Sequence, residues 1–247
     1  MTDSTFPPAE PHGLIEQIFD GIFVVSGSVA LPFPFTTRCS RNMTIVRDGE
    51  SLTLVSSMRL DEAGLAALDK LGKVEHVIRI AAFHGKDDRF YKDRYGAKVW
   101  AVRGSAYETG FKVGTPAEKG YFQPDVWMDE RTTLPIRDAK LQTVPGIAAE
   151  GVVLLAREKG ILLTGDALQN WECADEHFNF LGRTMMKLMG FIKPCNIGPG
   201  WLRGAKPDLA ELRKLRDLEF EHVLPVHGTP VKWDARRKFA PAFDRLS

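Results

Sequence analysis

Apolar and polar positions alternate along much of the chain, and they mark out short strands before anything else. Ile18 to Ser26, IFDGIFVVS, predicts a first strand bent at its glycine. Met43–Val46 and Leu52–Val55 flank Asp48-Gly49, a pair that tolerates the positive φ angles of a tight hairpin turn. The period then changes. Leu65, Leu68 and Leu71 follow Asp61, a good N-cap, and precede Gly72, a good stop, so this stretch predicts a helix. Val74–Ile80 predicts a strand, Asp87–Tyr95 a short polar helix closed by Gly96, and Lys98–Val102 another strand. Strand–helix–strand alternation of this kind implies a sheet with helices on its outer face.

The second half repeats the pattern after an interruption. Ser105–Arg137 carries glycines, prolines and the aromatics Tyr121, Phe122 and Trp127, which predicts a long loop with room for one strand. Strands resume at Leu141–Val144, Val152–Ala156 and Ile161–Thr164, the last two joined across Glu158-Lys159-Gly160. Phe178–Phe191 is apolar enough to predict a largely buried helix, with Met185, Met186 and Met189 filling gaps in a core rather than lining a pocket or a dimer face. Asp208 caps a last amphipathic helix with Leu209, Leu212 and Leu215 inward, and His222–Pro225 forms a final strand ending at Val226-His227-Gly228. Two stretches are too rich in proline for central strands: an arm over residues 1–17, loosely attached through residue 13, and the loop Leu31–Arg38 with Phe33 and Phe35 exposed. Residues 18–247 then make one domain. Trp201 reads as a further pocket candidate on a loop.

Composition narrows the function classes. With 44% hydrophobic residues in 247, the chain has ample material for a core. Lys+Arg 33 against Asp+Glu 32 leaves a formal charge of +1, without the basic stripe of a nucleic-acid binder. No run approaches the roughly 18 apolar residues of a membrane span, and the first residues resemble no secretory leader, so a cytoplasmic protein is expected. Cys39, Cys173 and Cys195 form no CxxC pair and read as reduced thiols.

The candidate chemistry lies at two strand tips. In KGILLTGDAL (Lys159–Leu168) a short apolar run ends at Gly165-Asp166, which delivers one carboxylate to the tip of a buried strand. Burying a lone carboxylate is costly, so Asp166 must meet a cation, a metal or several N–H donors. His227, after the strand His222–Pro225, reads as a second pocket residue; His12, His76 and His222 read as structural or surface groups. Cys173, Asp175, Glu176 and His177, just beyond Asp166, read as a solvated turn ahead of the next helix rather than as ligands.

Three stretches, VEHVIRIAAFHGKDDRFYKDRYGAKVWA (Val74–Ala101), VPGIAAEGVVLLAREKGILLTGDAL (Val144–Leu168) and FEHVLPVHGTPV (Phe220–Val231), resemble the metallo-β-lactamase superfamily, over roughly Ile18 to Val231. The resemblance implies an α/β fold, an αββα sandwich of two mixed sheets with helices outside and a metal site at one edge. Asp166 would bridge two metals there, and His227 would bind the second. The family's HxHxDH motif is not kept, however. An ungapped reading puts Ala81, Phe83, Gly85 and Lys86 on its ligand positions, and a reading displaced by three residues puts His84, Lys86, Asp88 and Arg89 there. The family's Pro-Gly-His turn is Pro145-Gly146-Ile147.

These departures argue against a dinuclear zinc site and leave two outcomes. In one, His84 or Asp88 joins Asp166 and His227 around a single Zn, Fe or Mn ion, giving a hydrolase for an ester, thioester, amide or phosphoester bond. In the other, the ammonium of Lys86 or the guanidinium of Arg89 takes the metal's place beside Asp166, and a metal-free protein keeps its edge pocket for a small-molecule ligand or for self-association as a homodimer. Replacement of ligands by cations favours the second.

Overall fold

The computed structural model describes residues 6, 8–31, 37–105 and 123–246. Its first sheet runs in chain order through β1 (Glu16–Phe19), β2 (Ile22–Leu31), β3 (Thr37–Asp48), β4 (Ser51–Val55), β5 (Lys73–Arg79), β6 (Lys98–Val102) and β7 (Val126–Met128). Neighbours are antiparallel up to β4 and parallel beyond it. The second sheet pairs β8 (Ala139–Val144), β9 (Glu150–Leu155), β10 (Ile161–Thr164) and β13 (His222–Pro225) in that order, with β10 and β13 parallel. A two-stranded piece joins β11 (Leu168–Gln169) to β12 (Asn196–Ile197).

Strand period two sorts the side chains into three layers. Ile78 of β5 and Val153, Ile161 and Leu163 of β9 and β10 share the core between the sheets. Their sequence neighbours face outward. Val77 packs with Leu65 and Leu68 of α1 (Glu62–Leu71) and Phe90 of α2 (Asp88–Tyr95). On the far side Val152 and Leu162 pack with Trp201 of α4 (Pro199–Ala205), Leu212 of α5 (Leu209–Lys214) and Phe239 of α6 (Ala235–Asp244). Helices therefore cover both outer faces, and the architecture is the αββα sandwich. Asp61 caps α1 by accepting from Gly64 N at 2.8 Å, and Gly96 ends α2 in the left-handed region. No helix of the described residues is long and apolar enough to cross a membrane.

Several expectations are corrected. The first predicted strand is two antiparallel strands, turned at Asp20-Gly21 where Gly21 has φ +66°. The N-terminal arm is docked from residue 11: Ser28 N donates to Pro11 O (2.7 Å), Gly13 N to Ser26 O (2.8 Å), and His12 Nε2 accepts from Asp61 N (2.9 Å). Residues 32–36 and 106–122, with Phe33, Phe35, Tyr121 and Phe122, lie outside the described residues, while Thr37 and Arg38 belong to β3 and Trp127 to β7. Trp201 is no loop residue; it is buried in the core on α4. Leu209 is partly exposed although Leu212 and Leu215 are buried. A helix beyond the one capped by Asp208 also exists, because ARRKFAPAFD buries Ala235, Phe239, Ala242 and Phe243 along one face despite its charges and Pro241.

The largest difference concerns the apolar helix. It spans Phe180–Leu188 as α3, with only Gly182 and Met186 buried, while Phe180 and Leu188 are 85% and 83% exposed. Its contact face is narrow because the helix backbone lies against β3: a Cβ on Gly182 would stand 1.9 Å from the carbonyl oxygen of Arg38. Close backbone approach fixes the helix, so its apolar side chains need not be buried to hold it. Gly182→Ala should therefore lower stability by about 1–3 kcal/mol, whereas Phe180→Ser should change it by no more than about 0.5 kcal/mol, both read by denaturant unfolding.

Candidate metal centre

Three loops meet at one edge of the sandwich. The segment after β5 carries His84, the turn after β10 carries Asp166, and the turn after β13 carries His227. Glycines permit the meeting. A Cβ on Gly165 would lie 2.6 Å from Ala81 Cβ, and Gly228, at φ +87°, has room for none because Asn170 O would be 2.0 Å away. Asn42 of β3 holds the last turn on both sides of His227, donating from Nδ2 to Pro225 O (2.9 Å) and Gly228 O (2.6 Å).

The three side chains converge in a compact cluster in which each imidazole meets a different oxygen of Asp166. His84 Nε2 lies 3.3 Å from Asp166 Oδ2, His227 Nε2 lies 3.2 Å from Asp166 Oδ1, and the two Nε2 atoms are 3.2 Å apart. His227 Nδ1 is 2.9 Å from Ser40 O, an acceptor only, so Nδ1 carries a proton and donates it. When the ring is neutral, Nε2 then turns a lone pair toward the Asp166 carboxylate. Trp171 packs against the His227 ring at 4.8 Å and donates from Nε1 to Ser40 Oγ (2.8 Å), which steadies the same strand. Gln169 Nε2 donates to Asp166 Oδ1 at 3.2 Å.

Burial sets the charge states. Desolvation pushes His84 below the usual imidazole range although Asp166 pulls the other way. Burial alone would raise Asp166, but the imidazoles, His84 first, outweigh it and hold the carboxyl well below its ordinary value. Burial, and then the Asp166 charge, push the nearby Glu150 carboxyl up.

Of the sequence-predicted residues, His84, Asp166 and His227 come together, and Asp88, Lys86 and Arg89 do not. Asp88 is fully buried elsewhere, its Oδ1 accepting from Ser57 Oγ (2.6 Å) and its Oδ2 from Arg79 Nε (2.5 Å). The adjacent Asp87 pairs with the buried Arg41 of β3. These two anchors start α2 with its outer face toward solvent. Arg89 therefore pairs with Asp93 one turn along at 3.6 Å, and Lys86 is exposed. Neither cation replaces a metal beside Asp166. The turn Pro145-Gly146-Ile147 leans on α4, where Ile147 N donates to Ala205 O. Among the described residues, His84, Asp166 and His227 are the one metal-competent group of His, Cys, Asp and Glu, so the Cys173–His177 segment supplies no other.

Sequence reasoning missed Ser40, Arg41 and Asn42. The signal was three successive polar residues inside a strand, all of which are buried.

No protein-family model matches the chain, and no curated protein matches it. Solved structures do. The metallo-β-lactamase FIM-1 from Pseudomonas aeruginosa in its mono-zinc form is similar over 97% of this chain and 97% of its own, with a TM-score of 0.61 at 14% identity. A metallo-β-lactamase from Hirschia baltica matches over 95% and 98%, with TM-score 0.59 at 14% identity. Another from Pontibacter korlensis matches over 94% and 98%, with TM-score 0.58 at 17% identity. Two mixed sheets with helices on both outer faces agree with that likeness, and the chain has the metallo-β-lactamase fold.

Proposed function

We propose that the protein is a mononuclear metal-dependent hydrolase whose ion is held by His84, Asp166 and His227. The supporting observation is the convergence of three ligand side chains at one point. Ligands at about 2.0–2.1 Å around a tetrahedral ion stand about 3.3 Å from one another; here the two imidazole Nε2 atoms are 3.2 Å apart, and each stands at a similar distance from one Asp166 oxygen, His84 at 3.3 Å from Oδ2 and His227 at 3.2 Å from Oδ1. With His227 Nδ1 protonated toward Ser40, the Nε2 lone pair of the neutral ring faces the Asp166 carboxylate, a repulsion that a cation between them would relieve. Neither candidate metal-replacing cation reaches this cluster, since Lys86 and Arg89 are exposed and Arg89 pairs with Asp93.

Two imidazoles and one carboxylate suit a single Zn, Fe or Mn ion and leave further coordination positions open. Such an ion supplies Lewis acidity and lowers the pKa of water to near 7. The chain's residues do the rest: the Ser40 carbonyl fixes the His227 tautomer, Trp171 fixes its ring plane, Gln169 orients the Asp166 carboxylate, and burial keeps both imidazoles free of bulk water. The substrate class is a carbonyl or phosphoryl compound bearing an ester, thioester, amide or phosphoester bond. The placement of Asp88 and Lys86 outside the centre supports one ion rather than two.

Elemental analysis of protein purified without a histidine tag or chelator should find a near-stoichiometric Zn, Fe or Mn content. It should collapse in His84→Ala, Asp166→Ala and His227→Ala and persist in Lys86→Ala and Arg89→Ala. A wild type that takes up none of these ions on soaking would end this reading. The same preparations screened against ester, thioester, amide and phosphoester substrates should show turnover that disappears in Asp166→Ala.

The centre should also respond to acid. An imidazole binds an ion only when neutral, and burial holds His84 below the usual imidazole range, so it stays competent through that range and is lost only on its acid side. Chelator competition over a pH series should therefore show affinity falling on acidification. Affinity that rises as pH falls would contradict the ligand set.

A further inference from the structure

The two loops that carry His84 and Asp166 come from different sheets, and something must fix the distance between them. Glu150, the first residue of β9, has no solvent exposure and lies between these loops. Its Oε2 accepts from Ala82 N at 3.1 Å, two residues before His84. Its Oε1 accepts from Ala167 N at 2.5 Å, directly after Asp166. The approach is close, since a Cβ on Gly165 would stand 2.8 Å from that oxygen. The backbone on either side of Glu150 is tied to the first sheet as well, Ala149 N donating to Gly104 O (2.8 Å) and Gly151 N to Ile80 O (2.9 Å).

We infer that Glu150 is a positioning residue: its carboxyl group, bridging Ala82 N and Ala167 N, sets the separation of His84 and Asp166 and so the geometry offered to the ion. This inference rests on the mononuclear-metal reading. The residue type follows from the donors it faces. Two backbone N–H groups arrive at opposite ends of one side chain, and a carboxyl group, ionised or protonated, keeps an accepting lone pair at each oxygen. A glutamine of the same shape accepts at one end only and turns N–H toward N–H at the other. A purely packing role would not need a carboxyl group, whose burial beside Asp166 is unfavourable.

The test is Co(II) binding to wild type and to Glu150→Gln, followed by the visible d–d spectrum and by affinity, with thermal unfolding of both metal-free proteins alongside. We expect Glu150→Gln to bind Co(II) at least tenfold more weakly, the usual scale for a residue that orients ligands, and with shifted bands. Wild type that binds no Co(II) would remove the metal reading, and this inference with it. Equal affinity and an unchanged spectrum in the variant would overturn the inference alone, even if its unfolding temperature falls. Should the variant not fold, amide hydrogen exchange on wild type decides. Ala82 and Ala167 amides should be protected and should slow together on adding Zn(II), whereas exchange of both at free-loop rates would sink the role.

Discussion

A carboxylate that is 8% exposed and has two imidazoles against it is the constraint around which this molecule is arranged. An isolated buried charge is several kcal/mol unfavourable, so every element that reaches the sheet edge bears on Asp166. β10 delivers it, the turn after β13 brings one imidazole, the segment after β5 brings the other, Ser40 O accepts from the His227 ring, and Gln169 donates to Asp166 itself. The glycines at 165 and 228 matter because the backbones of these turns approach neighbours too closely for a side chain. Fold and site are thus one problem: the sandwich edge is where strands from two sheets stop together.

The segment after β5 illustrates how the same constraint is met differently a few residues on. His84 faces the centre, while Asp87 and Asp88 turn back into the protein and neutralise Arg41 and Arg79. Removing one partner of such a buried pair costs about 3–5 kcal/mol because the other charge is left uncompensated. The arginines therefore hold the loop in place by electrostatics, where metal coordination at the corresponding positions would hold it in the family the sequence resembles.

Most of the strands and the first two helices were legible because period and punctuation agreed: Asp48-Gly49, Asp61 with Gly72, and Gly96 all sit where local geometry alone demands them. Asp166 and His227 were legible for the same reason, each following a short apolar strand. What failed were inferences from residue type without neighbours. Phe180 and Leu188 are apolar yet exposed, since α3 is held through Gly182. Asp88 had ligand chemistry and Lys86 and Arg89 had metal-replacing charge, but the direction each side chain takes is decided by Arg79 and Arg41, remote in sequence and visible only in three dimensions. Glu150 gave no local signal at all, because its partners are backbone groups of two other loops.

The Arg79–Asp88 pair limits which substitutions this edge tolerates. Arg79 ends β5 and Asp88 begins α2, both side chains are fully enclosed, and Ser57 completes the set. Recruiting Asp88 to coordinate a metal therefore takes more than one substitution. Freeing Asp88 for coordination strands the guanidinium of Arg79 in the core, and replacing Arg79 first strands Asp88. Histidines introduced at 86 or 89 would start from side chains that point to solvent. The enclosed pair thus locks both side chains into the core together, since neither can be replaced without leaving the other's charge uncompensated.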